Sequence, residues 1–146
     1  MKTRALVMAG MIAMAVVAST RVAQAQEAMR VNIPFDFVAG NTNLPAGEYL
    51  VETLGTTHTL LLIDRKESAS AFINTNAAVS AEPQSESKMI FNRYGDRYFL
   101  SQVWAAGYST GRQLLKSARE KEMAQVAKND THSQVTVVAE LLQTNR

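Results

Sequence analysis

Apolar and polar residues alternate along most of this chain with the period of two that belongs to a strand buried on one face. Val31, Ile33, Phe35 and Phe37 alternate with Arg30, Asn32, Pro34 and Asp36, which predicts a first strand. Pro34 has no N–H to donate, so this strand is expected at a sheet edge or at its opening. Residues 40–43 read as a polar connection, and Leu44-Pro45-Ala46-Gly47 places proline and glycine where a type I turn uses them. Further strands are predicted over residues 48–54, 59–64 and 69–74, separated by turns at 55–58 and 65–68. Residues 75–87 are polar, contain Pro83 and read as a long loop with little to bury.

The strongest local signal is a hairpin. Residues 88–94 and 97–104 flank Gly95-Asp96, and glycine first in a two-residue loop favours a type II′ turn whose twist matches the strands beside it. Pairing Tyr94 with Arg97 sets Phe91 opposite Leu100 and Arg93 opposite Tyr98. In that register Met89, Phe91, Tyr98, Leu100 and Trp104 share one side of the ribbon, and they are the candidate contact residues for a ligand or partner. Tyr94, Tyr98, Phe99, Trp104 and Tyr108 put aromatic rings on both faces of the hairpin, so one face is expected to be core and the other needs a cover: a helix, a second copy or an apolar ligand.

Residues 105–111 read as a small-residue loop. Ser117-Ala118-Arg119-Glu120 has the spacing of a capping box, in which the Ser oxygen accepts the Glu120 amide and the carboxylate reaches back to the Ser117 amide. A helix is expected from there to Lys128, with Asn129 at its stop and Met123, Val126 and Ala127 docking it. Residues 134–142 return as a last strand with Val135, Val137, Ala139 and Leu141 on one face. The fold class that follows is mainly β: an antiparallel meander of about seven strands forming a small barrel or a sandwich, with one helix before the last strand. The barrel is preferred, because a sandwich needs long crossovers and residues 75–87 supply the one obvious candidate. The layout is topologically like that of a lipocalin.

The first residues change the picture of where this domain works. Lys2 and Arg4 precede an uncharged apolar run over residues 5–18, and Ala23-Gln24-Ala25 fits a small-x-small cleavage site. Residues 1–25 are therefore expected to be a secretory signal peptide, too short in its apolar part to span a bilayer, and residues 26–146 a single β-rich domain. The expected location is periplasmic or extracellular. The chain carries 15 Lys and Arg against 13 Asp and Glu, but Lys2, Arg4 and Arg21 leave with the leader, so the domain has no basic excess to suit nucleic acid. There is no cysteine, which excludes disulfides, thiol catalysis and thiolate metal sites.

Three stretches carry a resemblance: Ile33-Pro34-Phe35-Asp36-Phe37, Leu44-Pro45-Ala46-Gly47-Glu48-Tyr49, and the run from Phe91 to Leu100. Together they resemble an uncharacterised family of small secreted bacterial proteins. The resemblance implies secretion and supplies no activity, ligand or catalytic residue.

Candidate chemistry is sparse. Gly107-Tyr108-Ser109-Thr110-Gly111 matches G-x-S-x-G, with Asp130 and His132 following in α/β-hydrolase order. A nucleophile elbow, however, needs a parallel strand, a sharp turn and an immediate helix, and an antiparallel hairpin precedes this motif. His58 and His132 sit in separate turns without metal-ligand spacing, and Asp64 with Glu67 reads as surface charge beside Arg65 and Lys66. Arg112, Lys116, Arg119, Lys121 and Lys128 make the helical region locally basic. The expected function is a non-enzymatic exported β-domain that binds or interacts at the cell envelope, without cofactor or metal. The alternatives are a lipocalin-like carrier of a small apolar ligand and, third, a serine hydrolase using Ser109. The partner is accordingly a protein or a small apolar molecule, with no nucleic acid and no membrane span after cleavage.

Overall fold

The computed structural model describes residues 28–54, 58–66, 68–127 and 132–142. The expected signal peptide, residues 55–57 of the expected turn, Glu67, the expected helix end at Lys128 and Asn129, and Asp130 lie outside the described residues. Among the described residues, ten strands and one helix follow in order: β1 Ala28–Ile33, β2 Phe37–Ala39, β3 Thr42–Leu44, β4 Gly47–Leu54, β5 Thr59–Asp64, β6 Ser70–Val79, β7 Ser87–Tyr94, β8 Arg97–Trp104, β9 Thr110–Leu114, α1 Ala118–Val126 and β10 Ser133–Leu142. Eight of the strands close an antiparallel barrel in the order β1-β4-β5-β6-β9-β8-β7-β10, and β10 pairs back with β1. The preference for a barrel with one helix before the last strand is borne out.

The inner face follows from alternation. Met29, Val31 and Ile33 of β1, Tyr49 and Val51 of β4, Leu60 and Leu62 of β5, and Met89 and Phe91 of β7 are all nearly inaccessible and join one core. Val137, Ala139 and Leu141 of β10 pack against it, as their spacing predicts. Pro34 ends β1, and the expected continuous strand through Phe37 is broken there, because proline withholds the amide that the ladder needs next. Nor is β1 an edge: it lies between β10 and β4.

The missing piece of the sequence reading lies around that break. Residues 40–43 are not a plain connection, since β2 and β3 form a small hairpin in which Gly40 adopts φ +61°. Phe37, Ala39 and Leu44 from it enter the core. Residues 75–79 are strand rather than loop, because β6 continues into a second ladder with β9, an element the sequence did not reveal. The rest of the supposed long loop is tied down by Ser80 N–H to Ser109 O (2.8 Å) and Gln84 N–H to Tyr108 O (3.0 Å).

The β7–β8 hairpin keeps its expected register from Tyr94–Arg97 to Phe91–Leu100. Gly95 has φ +64° while Asp96 does not share a positive φ, which is the type II′ arrangement. Beyond Leu100 the register shifts, with Ile90 opposite Gln102 and Met89 opposite Val103. Ser101 is therefore an extra residue, a β-bulge that reverses the facing of everything after it. Val103 takes the inward place, and Trp104 turns to the outer face, not the side of Met89 and Phe91. There its ring covers Gly111, where a Cβ would sit 2.6 Å from the indole and 2.8 Å from the Val103 carbonyl oxygen.

That contact is testable by Gly111→Ala. The backbone carbonyl cannot retreat, so overpacking is expected to lower unfolding stability by about 2 kcal/mol, measured by urea denaturation. An unchanged midpoint would contradict the Trp104–Gly111 packing.

Candidate functional site

Four of the five hairpin residues singled out from sequence do assemble on one face. Met89, Phe91 and Leu100 are buried in the barrel, and half-buried Tyr98 packs against them. Trp104 is separated from them by the bulge. What the sequence did not reveal is that rings from the β1–β2 break fill the space in front of these residues. Phe35 stacks on Tyr98 with centroids 3.8 Å apart and meets Phe91 edge-on at 5.1 Å. Phe37 meets Phe91 at 5.4 Å and Tyr49 at 5.3 Å, both edge-on. These are favourable aromatic geometries, and they make the hairpin face a packed aromatic cluster. The Arg93 guanidinium lies 5.5 Å from the Tyr98 ring centroid at the same barrel end.

The opposite side of the hairpin is covered by the helix. Val38, Tyr94 and Phe99 form a second cluster under Met123, Ala124 and Ala127. The helical period puts 120, 123, 124 and 127 on one stripe, so Ala124 docks in place of Val126, which is exposed. The capping box is half formed. Ser117 Oγ accepts from the Glu120 amide at 3.2 Å, but the Glu120 carboxylate turns away from Ser117 and into the barrel wall. Its Oε1 accepts from Asn92 Nδ2 at 2.9 Å and from the Tyr94 hydroxyl at 3.2 Å, and Gln134 Nε2 completes the network at Asn92 Oδ1. Burial, together with the adjacent Glu120 carboxylate, pushes the Tyr94 hydroxyl up to about 12.

A second polar site lies at the rim, where a cavity of about 300 Å³ is lined by Pro45, Ala46, Gly47, Glu48, Asp64, Arg65, Lys66 and Ser68. Arg65 Nη1 reaches both Glu48 oxygens, at 3.0 and 2.9 Å. The Asp64 carboxylate accepts from the Ser68 hydroxyl and from the Lys66 amide, and these bonds hold it below the usual carboxylate range. Tyr49 donates to the Pro45 carbonyl at 2.6 Å, and burial beside Asp64 and Asp36 pushes its hydroxyl up to about 12. The charged groups that face this cavity are thus engaged with one another: Arg65 with Glu48, and Asp64 with Ser68, the Lys66 amide and the Lys66 charge.

The G-x-S-x-G segment runs from the connection after β8 into the start of antiparallel β9, with Gly107 at φ +84°, so that Ser109 leads into a strand and not a helix. It lacks the geometry of a nucleophile elbow. His132 lies 5.1 Å from the Tyr94 ring, at the end of β8 away from Ser109, and a strand of eight residues spans about 25 Å. His58 is an exposed turn residue whose carbonyl accepts from the Thr75 amide and hydroxyl. Among the described residues, no group of three or more His, Asp or Glu is placed to hold a metal ion. Among the same residues, no helix is long and apolar enough to cross a membrane.

Two outcomes test the Glu120 network. Glu120→Ala leaves Asn92 and Tyr94 without their acceptor and is expected to cost about 2 kcal/mol and to speed amide exchange across α1, with Glu120→Gln losing less. Unchanged exchange in α1 would contradict its anchoring role. The tyrosines set an alkaline limit. Since the folded pKa of Tyr94 lies above its ordinary 10.0, the unfolded chain loses that proton first, and stability present below pH 10 falls as pH rises toward about 12. Tyr94→Phe is expected to flatten that fall in melting temperature, and an identical pH profile would contradict it. Compared with protein-family models, curated proteins and solved structures, the chain has no significant match in any of the three.

Proposed function

We propose that this protein is an exported, non-enzymatic binding module of the cell envelope whose contacts are made on the outside of the barrel. One observation carries the reading: the residues that a cargo would touch, Met89, Phe91, Tyr98 and Leu100, are already in contact with the chain's own core, and Phe35 and Phe37 stand where a cargo ring would stack. An interior occupied in this way gives an apolar cargo little surface to gain. Outside, large apolar side chains stay in solvent, with Phe72 70% exposed on β6 and Val138 58% exposed on β10. Export rests on the leader-like residues 1–25.

A carrier is the second reading, and one observation favours it. Val135, Val137, Ala139 and Leu141 point inward from β10 but are only half-buried, so the barrel is less tightly filled along that strand. Native mass spectrometry of the protein purified from its own host's envelope fraction separates the two. A bare chain, or the chain with a protein partner, is the expected result. A reproducible small-molecule mass lost on denaturation would overturn the binding-module reading in favour of the carrier.

A further inference from the structure

β6 changes neighbours halfway along. Over Ser70–Asn74 it pairs with β5, and over Thr75–Val79 it pairs with β9 on its other side. Backbone direction identifies which groups are left over. Ala69 O accepts from Asp64 N–H and Thr75 N–H donates to His58 O, so the odd-numbered residues of this strand aim their amides and carbonyls at β5. Ser80 N–H donates to Ser109 O on the β9 side, so the even-numbered residues aim the other way. Ser70 and Phe72 therefore direct their N–H and C=O groups away from β5, into the stretch that β9 does not reach. The ladder with β9 stops at Thr75–Leu114, and the hairpin β2–β3 on the far side of the gap pairs with β8 and not with β6.

This edge, unpaired among the described residues, is flanked by apolar and charged side chains that suit a particular strand. Phe72 is 70% exposed on the outer face, and Leu61 stands directly across from it on β5. Leu115, 67% exposed, follows the last paired residue of β9, so it closes one end of the gap. Lys116 comes next, exposed and without an ion pair among the described residues, and Arg119 on α1 donates to Asn43 Oδ1 on β3 at 3.3 Å. β6 itself carries no charge.

We propose that the edge at Ser70 and Phe72 binds an extended peptide segment of a partner protein, antiparallel to β6, as an added strand. Extended backbone is what matches a row of unpaired amides and carbonyls, and alternate side chains select the sequence. The segment takes an apolar residue against Phe72 and acidic residues at its N-terminal end, which an antiparallel strand brings to Leu115 and Lys116. This inference rests on the binding-module reading and names its partner chemistry.

The probe is a short acetylated peptide of alternating valine and threonine with two N-terminal glutamates, titrated into the full domain while amide resonances are followed. Saturable shifts and slowed exchange at the Phe72 and Ser70 amides are expected. Methylating the peptide's alternate backbone nitrogens, or replacing the glutamates by lysines, is expected to weaken binding at least about tenfold. Phe72→Asp is expected to abolish binding with the melting temperature retained, and Lys116→Glu with Arg119→Glu to reverse the charge preference. No shift at Phe72 or Ser70, or equal binding of the methylated peptide, would overturn the proposal. Concentration-dependent self-association that protects Phe72 without peptide would also overturn it, since the occupant would then be a second copy. A protein partner that still copurifies with the Phe72→Asp variant leaves the binding-module reading intact and removes only this site, whereas a small-molecule mass in the native spectrum removes the reading itself.

Discussion

The architecture depends on the pairing of β8, because β7 runs along one side of it from end to end while no single neighbour runs the length of its other side. β9 has five residues and meets β8 only at Gln102 and Val103, whereas β2 meets it at Phe99. The bulge at Ser101 lies between these two contacts, where the strand must change partners, and the added local twist of a bulge suits that change. Three other features follow. Trp104 is turned outward onto Gly111 to seal the closure with β9. The chain after Pro34 leaves the barrel wall, so that β2 meets β8 at Phe99, beyond the end of the β8–β9 ladder. And β6, which meets β9 only from Thr75 onward, keeps a short edge at Ser70 and Phe72 that neither β9 nor β3 joins among the described residues.

Legibility in the sequence tracked how local the determining interaction is. The register of the hairpin from Tyr94 to Leu100 was readable because two turn residues fix it, and the inner face of β10 because four apolar residues recur at every second place. The bulge was not readable: Ser101 has neither the glycine nor the charge that would mark it, and its cause is the change of neighbour across space. β9 was missed because Thr110-Gly111-Arg112-Gln113-Leu114 has almost no apolar alternation, its one buried glycine making sense only beneath Trp104. The start of α1 was visible at Ser117, but the destination of the Glu120 carboxylate depends on Asn92 and Tyr94, far away in sequence.

The same division applies to the candidate site. Sequence placed Met89, Phe91, Tyr98 and Leu100 together, and the fold keeps them so, but it could not tell a lining from a filling. That distinction turns on Phe35 and Phe37, which reach the cluster only because Pro34 ends β1. The aromatic concentration that suggests a cavity wall is thereby satisfied within the chain.

The most direct test of a self-filled interior is methyl NMR of Met89 and Val137 during titration with a medium-chain fatty acid. A filled barrel predicts that the Met89 methyl stays at its position at every fatty acid concentration. A saturable shift of Met89 together with Val137 would place the ligand inside the barrel and contradict it.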